Sequence, residues 1–100
     1  MLAEKYNALV MTDDCHTKGF IGKTSRGVHD HCGIMDKVDI ITGTLGKALG
    51  SFGGVILSSD KVRDYLVNYC RTFIYDTAIP PVAATAASEA LGILIHDKKP

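Results

Sequence analysis

The chain reads as an α/β protein, a mostly parallel sheet with flanking helices, and three observations predict it. Short apolar or β-branched runs alternate with helical patterns. Two of those runs end directly in polar or glycine-rich clusters, as strand ends in open α/β sheets do. No internal repeat or linker interrupts the 100 residues, a length suited to one domain.

The elements follow in order. Ala8-Leu9-Val10-Met11-Thr12 is an apolar run closed by Asp13-Asp14, which fits a buried strand with polar groups at its carboxyl end. From His16 to Arg26, glycines and small polar residues replace any periodicity, so this stretch reads as a loop, with a short helical turn expected within His29 to Met35. Val38 to Thr42 is β-branched at four of its positions and runs into Gly43-Thr44-Leu45-Gly46-Lys47, which makes it a second strand. Gly53-Gly54-Val55-Ile56-Leu57-Ser58 is a third, entered through glycines that permit close backbone approach. Ser58 or Ser59 then caps a helix in which Val62, Tyr65, Leu66 and Tyr69 share one apolar face, and Tyr69 and Cys70 read as core. Thr72 to Tyr75 reads as brief extended chain. Pro80-Pro81 opens a last helix to about Ile95, rich in alanine and so suited to close packing, before the polar stub Asp97-Lys98-Lys99-Pro100.

Composition narrows the functional classes. Eleven basic and eleven acidic residues leave no positive field for a nucleic-acid backbone or an anionic membrane. The longest apolar stretches fall well short of the roughly 20 residues that cross a bilayer, and Leu2-Ala3-Glu4-Lys5 lacks the form of a secretory signal. Three cysteines, Cys15, Cys32 and Cys70, form no disulfide framework. A cytoplasmic location is expected, or a mitochondrial matrix for a eukaryotic source.

Lys47 sits among small residues just after a strand, where space remains for a planar ligand. Partial desolvation there would make its amine a nucleophile for carbonyl chemistry. A solvated loop lysine has the same spacing. Asp13 precedes His16 by three residues and Gly19 by six; an aspartate so placed can keep a heteroaromatic nitrogen protonated while the histidine donates to an oxygen of the same ring. Turn capping by Asp13 and Asp14 fits the same pattern. Gly22-Lys23-Thr24 lacks the glycine five positions upstream that a nucleotide-binding loop needs, since Thr17 stands there. Cys15, His16, His29, His31 and Cys32 include zinc-ligand types, but without a C-x-x-C pair. His29, His31 and His96 read as surface or helix-end residues.

Taken together, Asp13-Asp14-Cys15-His16-x-x-Gly19-Phe20, Thr44-Leu45-Gly46-Lys47-Ala48-Leu49-Gly50 and Phe73-Ile74-Tyr75-Asp76-Thr77-Ala78-Ile79-Pro80-Pro81 resemble, in order and spacing, the α-oxoamine synthases, enzymes of fold type I that use pyridoxal 5'-phosphate (PLP). The resemblance covers nearly all of the chain. It implies that Lys47 forms the internal aldimine and that Asp13 pairs with the pyridine nitrogen. It places His16 near the phenolic oxygen, Thr44 at the cofactor phosphate, and Thr77 at the phosphate of a second subunit in a homodimer. It implies condensation of an amino acid such as glycine or alanine with an acyl-CoA, in biotin biosynthesis or threonine and glycine metabolism, with Lys47 as the base that removes the α-proton. The different-class alternative is a non-catalytic module that retains the motifs. Two positions depart from the family pattern: Lys18, expected to add a charge near the cofactor, and Asp76, where a hydroxyl residue is usual. Residues 1–100 are expected to be a central fragment of the PLP-binding large domain with no complete second domain. The upstream phosphate loop and ring-stacking residue and the downstream carboxylate-binding arginine are not among them, and the isolated polypeptide is expected to be silent.

Overall fold

The computed structural model describes residues 2–96, and the stub at 97–100 lies outside them. A short helix α1 (Leu2–Tyr6) precedes strand β1 (Met11–Asp13). A long loop carrying α2 (Val28–Cys32) leads to β2 (Ile40–Thr44) and then β3 (Gly54–Ser58). Helices α3 (Asp60–Tyr69), α4 (Arg71–Ile74) and α5 (Pro81–His96) follow. The fold is α/β with flanking helices, as expected.

The sheet has the order β1-β2-β3. β1 and β2 run parallel, with Met11 opposite Ile40 and Asp13 opposite Thr42. The expectation of a mostly parallel sheet needs correction, because β3 runs antiparallel to β2, with Ile41 opposite Leu57 and Thr44 opposite Gly54. Connection length is the reason. Residues 14–39 contain a helix and suffice for a parallel crossover, whereas residues 45–53 hold none and can only turn the chain back. The first strand also starts later than its apolar run: the Ala8 N–H donates to the Ala3 carbonyl at 2.9 Å, so Ala8 closes α1.

Pairing fixes the two faces. Thr12, Ile41, Gly43, Val55 and Leu57 share one, and Met11, Asp13, Thr42, Thr44 and Ile56 share the other. Ile41 and the α5 residue Ala87 are the buried apolar side chains among the described residues. A cavity of about 890 Å3 separates this face from α5, with Ile41, Val55 and Leu57 on one wall and Leu91, Leu94 and Ile95 on the other. The Ser51 hydroxyl, donating to the Ala83 carbonyl at 2.6 Å, ties the loop after β2 to the first turns of α5.

The Ser59 cap is present, its hydroxyl accepting from the Val62 N–H. Two further expectations fail. Residues 71–74 are helical, because the Cys70 carbonyl accepts from the N–H groups of both Phe73 and Ile74 and so starts a new turn that overrides local strand propensity. Tyr69 is exposed and stacks on Tyr65 at 5.0 Å rather than entering a core, and Cys70 is half-buried. No helix among the described residues is long and apolar enough to cross a membrane.

Ile41→Ala is expected to cost about 2–5 kcal/mol in denaturant unfolding followed by circular dichroism, since it leaves a cavity on the central strand. Leu9→Ala, at a side chain 75% exposed, is expected to stay within about 0.5 kcal/mol.

Candidate active site

The parallel pair starts in register, β1 ends at Asp13 opposite Thr42 while β2 runs on to Thr44, and the loops that leave the two strands meet. Asp13 closes β1 with an exposed carboxylate, and its Oδ1 accepts from the Cys15 N–H at 3.1 Å. The turn that follows carries His16 outward. After β2, the loop 45–53 folds back on itself. The Leu45 N–H donates to the Gly53 carbonyl, the Ser51 N–H to the Leu45 carbonyl and the Gly50 N–H to the Lys47 carbonyl, all within 2.9 Å. Gly50, at φ +59°, supplies the left-handed residue of this turn at no steric cost. Lys47 stands on this braced loop, with its Nζ 2.7 Å from His16 Nε2.

His16 and Lys47 both act on Asp13. Its carboxyl lies below the ordinary carboxylate range, first because the Cys15 thiol and backbone N–H donate to it and then because the nearby His16 and Lys47 side chains favour its charged form. The same contact raises the Cys15 thiol above its usual value, a carboxylate acceptor holding the proton on sulfur. The Cys70 thiol shifts the other way, lowered chiefly by the Thr72 hydroxyl.

Thr44 ends β2 with its hydroxyl accepting from the Gly46 N–H at 3.1 Å, so it faces the start of the lysine loop. Thr77 is held otherwise, its N–H donating to Asp76 Oδ1. A Cβ at Gly53 would touch Ile79 and Leu45, which brings the segment containing Thr77 against the lysine loop. The structure thus gathers Asp13, His16 and Lys47, leaves Thr44 at the loop's base and Thr77 on a neighbouring strap.

Some residues were read differently from sequence. His29, read as a surface or helix-end residue, lies in the first turn of α2 but is completely buried: its Nε2 is 2.6 Å from Thr12 Oγ1 and its Nδ1 3.2 Å from Asp14 Oδ2. Thr12 satisfies Nε2, whereas Nδ1 meets Asp14 outside hydrogen-bond geometry. Asp14 is likewise buried rather than a turn cap on the surface. The only hint in the sequence was a polar Thr12 inside an apolar run. Lys18 does not add a free charge beside Asp13, because its Nζ pairs with Asp14 Oδ2 at 3.3 Å and its stem lies against Gly43, on the opposite face of the sheet. Among the described residues no three histidine, cysteine or acidic side chains gather as a metal site.

A carboxylate held ionised, an imidazole touching an amine and a hydroxyl at the loop base form a donor set for a planar nitrogen heterocycle. The carboxylate favours a protonated ring nitrogen, the imidazole suits an acidic ring hydroxyl, and the amine can bond to a carbonyl.

Alkylation at mildly alkaline pH is expected to reach Cys70 faster than Cys15, and Asp13→Asn should speed Cys15 selectively. Asp13 has its folded value lowered. The stability it contributes is therefore present above its unfolded value and fades as pH falls through the lowered one. The gap between the parent chain and Asp13→Asn in pH-dependent unfolding should close over that acid range and stay constant above it.

Comparison with known proteins bears on the family. The family model for aminotransferase class I and II matches residues 1–96. The 8-amino-7-oxononanoate synthase of Geotalea daltonii is 47% identical over 93 residues, and that of Thermosipho melanesiensis 46%; each alignment covers 93% of this chain and 24% of the relative. The chain thus spans about a quarter of the length of the curated relatives it matches. A serine palmitoyltransferase from S. paucimobilis, solved with a PLP-myriocin aldimine, superposes with a TM-score of 0.88 at 28% identity, covering 96% of this chain and 25% of that one. The 8-amino-7-oxononanoate synthase of Francisella tularensis gives 0.77 at 32% identity, covering 97% of this chain and 29% of that one. The chain belongs to the class I and II aminotransferase family and, within it, to the α-oxoamine synthases.

Proposed function

We propose that residues 1–100 form part of the cofactor-binding large domain of a PLP-dependent acyltransferase that joins a small amino acid such as glycine or alanine to the acyl group of an acyl-CoA. The observation that carries this reading is the 2.7 Å contact of Lys47 with His16 beside the Asp13 carboxylate. The donor set fits PLP, whose ring nitrogen, phenolic oxygen, aldehyde and phosphate match a carboxylate, an imidazole, an amine and a hydroxyl in kind. When bound, PLP supplies an electron sink for charge developing on the substrate carbon.

This chain's own residues do the rest. Asp13, its carboxyl lowered, stays ionised and would hold a proton on the ring nitrogen of the cofactor. Lys47 Nζ would anchor the cofactor, and the same amine, when free, would serve as the base for the substrate α-proton. His16 Nε2 orients that amine and would share hydrogen bonding with the phenolic oxygen. Thr44 would offer its hydroxyl to the phosphate, and Thr77 would offer one to the phosphate held by a second copy in a homodimer. Pairing of Lys18 with Asp14 takes up the charge at one departure from the family pattern. At the other, the exposed Asp76 carboxylate is engaged by the Thr77 N–H. A cytoplasmic location accords with the absence, among the described residues, of a membrane-crossing helix.

Adding PLP to the chain should produce an absorbance band at roughly 410–430 nm, marking linkage to a lysine amine. Lys47→Ala should abolish it, and Asp13→Asn should weaken cofactor binding by about tenfold, the scale of one hydrogen bond to a charged group. A band that survives Lys47→Ala would overturn the assignment. Its absence from the parent chain would favour a non-catalytic module.

A further inference from the structure

Asp14 and His29 are the two largest fully buried side chains among the described residues. A carboxylate removed from water must find charged or hydrogen-bonding partners nearby. Asp14 has two donors and a third group in contact. Thr17 Oγ1 donates to its Oδ1 and Lys18 Nζ to its Oδ2 at 3.3 Å, while His29 Nδ1 approaches Oδ2 to 3.2 Å outside hydrogen-bond geometry. Thr17 Oγ1 in turn accepts from the Val28 N–H at 3.0 Å, so the hydroxyl bridges the turn to the start of α2. Gly27, at φ +102°, lies so close that any Cβ there would collide with the Asp14 carboxylate. The Asp14 N–H donates to the Thr42 carbonyl at 2.9 Å, which extends the parallel ladder one residue past Asp13.

His29 closes this network from the other side. Its Nε2 holds Thr12 Oγ1 at 2.6 Å, and Thr12 lies on the sheet face opposite Asp13. One ring therefore spans from the interior of β1 to the first residue of the turn that follows it. His16 lies between the two turn residues that Asp14 secures, Thr17 and Lys18, and Asp14 itself.

We propose that His29 is a positioning residue: acting through Asp14, it locks the 14–18 turn so that His16 meets Lys47. Neither Asp14 nor His29 touches Lys47. The meaning of the Lys47 contact rests on the cofactor reading above, whereas the lock itself does not. Removing the ring opens space beside the buried carboxylate and takes away the anchor to Thr12 on β1. Water then enters, and the turn samples other positions.

The test is hydrogen exchange on the full chain at fixed pH, read at the amides of residues 15–18 relative to those of α3. His29→Leu should raise exchange in the turn about tenfold, and His29→Gln, which keeps a donor, should restore most of the protection. Ala87→Gly, a buried change outside the site, serves as a control for general loss of stability and should leave the ratio unchanged. Should His29→Leu not fold, Thr12→Val removes only the far anchor and should raise the ratio about threefold. In parallel, PLP trapped on lysines with borohydride and mapped by peptide mass should show the share on Lys47 falling about fivefold in His29→Leu and recovering in His29→Gln. Unchanged exchange in the turn, or an equal change in Ala87→Gly, overturns the lock. Selective turn exchange with unaltered Lys47 trapping overturns the positioning role. If Lys47 in the parent chain traps no more PLP than other lysines, the cofactor reading falls, and the exchange ratio alone decides the lock.

Discussion

The parallel pairing of β1 with β2 decides where every reactive group stands. With Asp13 opposite Thr42, β1 ends two residues before β2, and the chain leaves both strands at their carboxyl ends. A shift of one residue would put Asp13 on the face now held by Thr12. The carboxylate, the imidazole three residues later and the lysine of the second loop would then no longer share a space. The carboxyl ends of parallel strands are the usual setting for ligand sites in α/β folds, and here they bring residues 31 apart in sequence to 2.7 Å.

A second constraint supports the first. The two faces of β1 differ: Asp13 is exposed, while Asp14 and His29 are withdrawn from water behind it, with Thr12 half-buried between. A buried carboxylate without partners would be unstable, so the turn that follows must adopt the conformation that supplies them. Thr17, Lys18 and the close approach of Gly27 are consequences of that requirement. The exposed chemistry of the site thus stands on concealed chemistry of the same type. Much of the remaining apolar surface, on α5 and on the edges of the sheet, stays open to solvent.

The loop carrying Lys47 shows how backbone bonding substitutes for packing. Few large side chains brace it; instead Leu45, Gly50 and Ser51 are tied to carbonyls within the same loop and to Gly53. Small residues at 46, 48 and 50 leave room beside the amine, and Ala48 sits tightly against Gly19 of the other loop. Rigid presentation of a flexible side chain follows from these bonds.

Composition and pattern by themselves determined the α/β class, the three strands, the Ser59 cap and the long helix from Pro81, because each depends on local preference or on a repeat in the sequence. Residue type and spacing marked Asp13, His16 and Lys47 as candidates but left a solvated loop lysine and turn-capping aspartates equally open; the resemblance to the α-oxoamine synthases is what joined them into one set. Tertiary structure alone decided the rest. The antiparallel return of β3 followed from a connection too short to cross over, and the helical turn at residues 71–74 from a carbonyl at Cys70 that captured two donors. The burial of His29 depended on Thr12 and Asp14, whose nearness to it exists only after the chain has folded. A buried polar group is defined by its partners, and partners distant along the chain leave no mark in local sequence.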